Sequence, residues 1–165
     1  MPEQKTLERA SKAKRAGKSP STQAGAFVKE QIDHIREGKH GAKSAKQAIA
    51  IGLSEARRSG VKTKAPKKGT TSEATRKKAA QDTKAAHRTK RSPSTESKAK
   101  RSAVSTRVLK RESTKAASHK SLSRQSHAAA SRRSAADRSA AAKKGWATRR
   151  ARAAGASKGT RHASR

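Results

Sequence analysis

Cysteine and tyrosine are absent from this 165-residue chain, Phe27 and Trp146 are its sole Phe, Trp or Tyr residues, and Asp and Glu together number 11. Without cysteine there is no disulfide framework and no thiolate metal site. Two aromatics cannot stack a run of unpaired bases, which excludes single-strand readers built on aromatic platforms. Hydrophobic residues make up 30 % of the chain, most of them alanine, which buries little surface, so a core of ordinary size is not expected. No apolar run approaches the ~18 residues of a membrane span. The N-terminal MPEQKTLERASKAKR lacks the apolar stretch of a secretory leader, and the expectation is a cytoplasmic protein.

What the chain has instead is positive charge: 44 Lys and Arg give a formal net charge of +33. Cations at that density repel one another and favour a polyanionic partner. Nucleic acid is the expected one, DNA before RNA. A membrane is not, because stable attachment needs an apolar helix face or a lipid chain besides the charge.

The charge divides unevenly near Val61. Residues 1–61 carry 13 Lys/Arg and 6 Asp/Glu with ten large apolar residues, whereas 62–165 carry 31 Lys/Arg and 5 Asp/Glu with only Val104, Val108, Leu109, Leu122 and Trp146. After a basic segment over 1–18, Ser19-Pro20 reads as a helix start. Ala24, Phe27, Val28, Gln31, Ile32 and Ile35 then recur at spacings of three and four, and Gly38 ends the helix. A second helix starts at Ser44, with Gln47 completing a capping-box pattern, and ends at Gly60. Ala45, Ala48, Ile49, Gly52, Leu53 and Ala56 form its inner face, with residues small enough for close approach of the first helix. The resulting hairpin over 19–61 buries too little to be more than marginally stable alone, and a homodimer through it is one expected remedy.

Residues 62–165 lack a sustained hydrophobic period. High charge and low hydropathy predict disorder there. The expectation is a disordered basic linker over 62–126 and an Ala/Arg/Lys-rich tail over 127–165, able to form helix once neutralised and interrupted at Gly145. The predicted fold is therefore all-α: a small helical hairpin followed by a largely disordered basic tail.

Candidate sites follow from this division. GKHGAKS, Gly38–Ser44, superficially resembles a nucleotide-binding loop, but Ala42 stands where glycine is required and a helix precedes it, so a nucleotide cofactor is not expected. Amides at a helix start beside Lys39, Lys43 and Lys46 still suit a single phosphate oxygen. A solvated turn is the plain alternative. Candidate phosphate contacts in the tail are Arg132, Arg133, Arg138, Lys143, Lys144, Arg149, Arg150 and Arg152, arginine being favoured for its bidentate fork. Trp146 among them would serve either as a wedge against a base step or as an anchor for its helix. The six histidines form no pair at zinc spacing and have no cysteine partners, so a metal site is not expected. Glu30, Asp33 and Glu37 fall at helical spacings beside Lys29 and Arg36, the pattern of a solvated face, and with too few apolar residues for a protected pocket no catalytic site is expected. Ser19 and Ser92 precede proline and would lower the charge if phosphorylated.

The segments STQAG, IREGKHGA and KQAIAIGLSEARR resemble a family of small basic bacterial proteins of unknown function, whose shared segment corresponds to 19–61 here. The Lys/Arg/Ala-rich remainder is similar in composition to bacterial linker-histone-like proteins. The family resemblance implies the bacterial cytoplasm and one small helical module and carries no activity, whereas the charge itself points to a nucleoid-associated protein. The expected function is sequence-independent binding of double-stranded DNA. An RNA- or ribosome-associated protein, or an adaptor whose apolar IAIGL face binds a protein, are the alternatives.

Overall fold

The computed structural model describes residues 2–66, 68–86 and 98–160, with side chains described for all of these except 98, 99, 101, 152 and 155–160. The described chain is helical almost throughout: α1 Gln4–Arg15, α2 Pro20–Arg36, α3 Ala45–Arg58, α4 Glu73–Ala85, α5 Lys98–Lys110, α6 His119–Ser131 and α7 Ala135–Thr160, with a 3-10 turn at Thr114–Ala117 between α5 and α6. It divides into two compact units, Met1–Leu122 and Ser123–Arg165, with the division inside α6. Among the described residues, no helix is long and apolar enough to cross a membrane.

The first unit is built around α2 and α3. The Ser19 hydroxyl accepts from the Thr22 amide at 3.4 Å and Pro20 opens α2, so an otherwise orphaned N–H is satisfied at the start. At the far end Gly38 takes φ +73°, a conformation that costs other residues dearly, and the Lys39 amide turns back to the His34 carbonyl at 2.9 Å. Ser44 caps α3 by accepting from the Gln47 amide at 3.3 Å. The facing stripes meet at Gly52, where an added Cβ would stand 2.7 Å from the Val28 Cα. Phe27 and Ile35 are the largest fully buried side chains.

Two small apolar clusters result. Ala10 of α1, Ala24 and Phe27 of α2, Ala56 of α3 and Val61 form the first, with Leu53 against it. In the second, Ile35, Ala42 and Ala48 pack with Ala116 and Ala117, flanked by Ile32. Helix α4 docks on α3 through a polar contact instead: the Ser54 hydroxyl donates to Asp82 Oδ2 at 2.6 Å, and Asp82 is buried.

The second cluster overturns the expectation of a disordered tail beyond residue 61. The Gly41 amide donates to the Leu109 carbonyl at 2.9 Å and the Ala42 amide to the Ser113 carbonyl at 3.1 Å. Arg36 Nε donates to the Ala117 carbonyl at 3.1 Å. An added Cβ on Gly41 would lie 1.8 Å from the Glu112 carbonyl oxygen, so the two backbones are in direct contact. Disorder is predicted by counting large apolar side chains, but this seam uses alanine and backbone groups, which such a count ignores. Serine caps complete the remaining ends: Ser72 accepts from the Thr75 amide, Ser113 from that of Lys115 and Ser118 from that of Ser121. Within the potentially helical stretch over 127–165, α6 runs on to Ser131 and α7 spans Ala135–Thr160, passing through Gly145 without a break, and 161–165 lie outside the described residues. Part of the expected linker, including Ser92, lies outside the described residues.

One half-buried polar group, Glu55, works against the fold. Partial burial pushes the Glu55 carboxyl above its usual value, the nearby Glu30 adds to this, and a bond from the Gln31 amide nitrogen at 2.8 Å only offsets it. A carboxyl with a raised folded pKa destabilises the fold above that pKa, and the penalty disappears as pH falls below the unfolded value. Glu55→Gln keeps an acceptor for Gln31, so it should raise the melting temperature at pH 7, with the gain vanishing in acid where the wild-type carboxyl is protonated in both states. Gly41→Ala and Gly52→Ala should each cost about 1–3 kcal/mol in urea denaturation, the usual penalty for forcing atoms into a filled contact.

Candidate nucleic-acid interface

Residues 123–165 carry 12 Lys and Arg and a single acid, Asp137. The structure arranges most of that charge on one helix. Ser134 starts α7: its hydroxyl accepts from the Asp137 amide at 3.1 Å and donates to Asp137 Oδ2 at 2.9 Å. The carboxylate then lies in the first turn, where it suits the helix dipole. Alanine supplies most of the helix propensity beyond it. No apolar stripe runs along α7, so its sides are available to solvent and to a ligand.

At 26 residues α7 is about 39 Å long. Arg138, Lys143, Lys144, Arg149 and Arg150 are all exposed along it, and Arg132 and Arg133 are exposed in the turn just before it. Arg152 belongs to α7, but its side chain lies outside the described residues. Lys143 precedes Trp146 by three residues, and Arg149 and Arg150 follow it by three and four, spacings that make neighbours on a helix surface. Arg138, two turns earlier, lies on the same broad side. Lys144 projects from the opposite flank. Trp146 is 61 % exposed, and the Arg150 guanidinium lies over its ring, 5.7 Å from the centroid. That contact is a cation–π pair, which holds one cation beside the indole while leaving the rest of the ring open.

The other candidates, Lys39, Lys43 and Lys46, belong to the first unit and differ in setting. Lys39 is already paired, with Glu37 at 2.9 Å and Glu3 at 3.6 Å, and the bond to Glu37 chiefly raises its pKa. Lys43 and Lys46 are exposed. The loop amides, however, are largely committed. Gly38 and Lys39 donate to α2 carbonyls, Gly41 and Ala42 to Leu109 and Ser113, and Lys43 to the Gln47 side-chain oxygen at 2.8 Å. The seam thus takes up the Gly41 and Ala42 amides, and the amides at the start of α3, beside Lys43 and Lys46, are not part of it.

The fold also creates a cluster that histidine pairing alone does not reveal. Glu30 and His34 stand one turn apart on α2, and Glu3 reaches them from the start of α1. The Glu/His spacing of four is the signal in the sequence that points to them. The Glu3 carboxyl is held below its usual value, chiefly by its bond to His34.

In comparisons with known proteins, residues 13–69 match a family described as of unknown function, DUF6496. The match spans about a third of the chain, covering α2, α3 and the turn between them. No curated protein and no solved structure matches. Nothing in these comparisons supports a linker-histone-like character for the basic remainder, which rests on composition alone.

Because Trp146 is the only tryptophan, its fluorescence reports on this surface directly. Iodide should quench it more efficiently than caesium at low salt, since the surrounding cations concentrate the anion and repel the cation. That difference should collapse as ionic strength rises and the Debye length shortens. Equal quenching by the two ions at low salt would contradict a cationic surround.

Proposed function

We propose that the protein binds double-stranded DNA without reading its sequence, neutralising phosphates with the cations of α7 and the turn before it, in the manner of a nucleoid-associated compacting protein. The observation that carries this reading is a 26-residue helix bearing seven Lys and Arg against one acid, with no apolar stripe and with every described cation exposed. A helix polar on all sides has no packing partner to explain its sequence. A duplex explains it. The major groove is about 12 Å wide and admits an α-helix, and phosphates line both of its walls. Cations on both flanks of α7 suit those two walls. Base-edge recognition has no comparable support, because the described face offers arginine and lysine without an ordered set of amide side chains beside them.

Affinity on this reading comes from counterion release, so log K should fall linearly with log salt at a slope near −0.9 per phosphate neutralised. Replacing Arg138, Lys143, Arg149 and Arg150 together by glutamine preserves helix propensity while removing four cations. The quadruple variant should bind duplex DNA more weakly, with a slope shallower by about 0.9 for each phosphate that is no longer neutralised. An unchanged slope would remove α7 from the interface.

A further inference from the structure

We propose that Glu3, Glu30 and His34 form a binding site for a single divalent transition-metal cation, with zinc as the best-matched ion. One donor atom from each of the three lies within 4.8 Å of the others. His34 Nε2 and Glu3 Oε1 are hydrogen-bonded at 2.9 Å, and a small opening of that pair reaches the roughly 3.3–3.6 Å that separates neighbouring tetrahedral ligands with bonds of about 2.0–2.2 Å. Glu30 is only 6 % exposed. Its Oε1 accepts from the Glu3 amide at 2.8 Å, while its Oε2 is buried with no hydrogen-bond partner. A buried carboxylate oxygen without a partner is costly, and a cation bridging it to His34 and Glu3 would remove that cost.

The three residues line one cleft of about 270 Å³ between α1 and α2, together with Lys5, Arg9, Lys29 and Lys39. Asp33 and Glu37 of the same cleft are paired with Lys29 and Lys39, which leaves Glu30 as its one buried carboxylate. Two carboxylates balance a divalent charge, and the imidazole favours zinc over magnesium or calcium. Three protein ligands leave at least one position for water. Lys39 Nζ stands 3.6 Å from the same Glu3 oxygen and competes for it. Binding would fasten the start of α1 to the middle of α2, and it is independent of any contact with nucleic acid.

Chelator-treated full-length protein should be titrated with zinc against a chromophoric chelator, in the absence of nucleic acid and phosphate. The expected result is one zinc per chain and no displacement by equimolar magnesium. His34→Gln and Glu30→Gln should each weaken zinc binding by more than the roughly 10–100-fold that loss of an outer-shell partner costs. Lys39→Gln should tighten it. Absence of zinc binding, or an affinity unchanged in both ligand variants, would overturn the proposal. Should a variant fail to fold, X-ray absorption on the wild-type zinc complex decides: one imidazole among oxygen ligands upholds the site, and two or more imidazoles refute it.

Discussion

The structure depends on a backbone seam. Two amides in the turn between α2 and α3, Gly41 and Ala42, donate to carbonyls of Leu109 and Ser113. Beneath them Ile35, Ala42 and Ala48 close over Ala116 and Ala117. No long side chain is needed, because the two backbones touch at Gly41 and Glu112. This contact converts a marginal helical hairpin into a larger helical unit. It also commits the Gly41 and Ala42 amides, which are then not free for an anion.

Beyond the first unit the physical problem changes. The first unit, Met1–Leu122, holds ten of the chain's 11 acids, six of them within residues 1–61, and pairs several of them with cations, as in Lys29 with Asp33 and Lys39 with Glu37. From Ser123 onward one acid remains. Helix α7 is held by alanine propensity and a serine cap, and its cations repel one another along and around it. A phosphate-lined groove would relieve that repulsion, so the feature that most weakens α7 alone is the one that suits it to a duplex.

Legibility in the sequence followed the size of the side chains. Helices α2 and α3 could be read because Phe27, Ile32 and Ile35 recur at helical spacing, Ser19 and Ser44 cap the starts, and Gly38 and Gly60 mark the ends. Helix α4 and the 3-10 turn could not, because their contacts use Ala79, Ala116 and Ala117 and a single buried acid, Asp82, whereas the helix potential of the α7 stretch was legible from its alanines. A composition rule that weighs large apolar residues against charge assigns such segments to disorder. The seam was beyond reach for another reason: it joins backbone groups far apart in sequence, which no residue identity announces. The cluster at Glu30 and His34 was half legible. Their spacing is visible on one helix, but the arrival of Glu3 depends on α1 folding back along α2. For the cationic side of α7 the sequence supplied every residue, and the structure added how they are disposed around Trp146.

Amide hydrogen exchange on the full-length chain, with and without duplex DNA at low salt, tests the central claim most directly. The account predicts slow exchange at Gly41 and Ala42 in both conditions, with protection along α7 rising when duplex is added. Fast exchange at Gly41 and Ala42 in the free protein, with protection gained there and not along α7 on adding duplex, would contradict both the seam and the role given to α7.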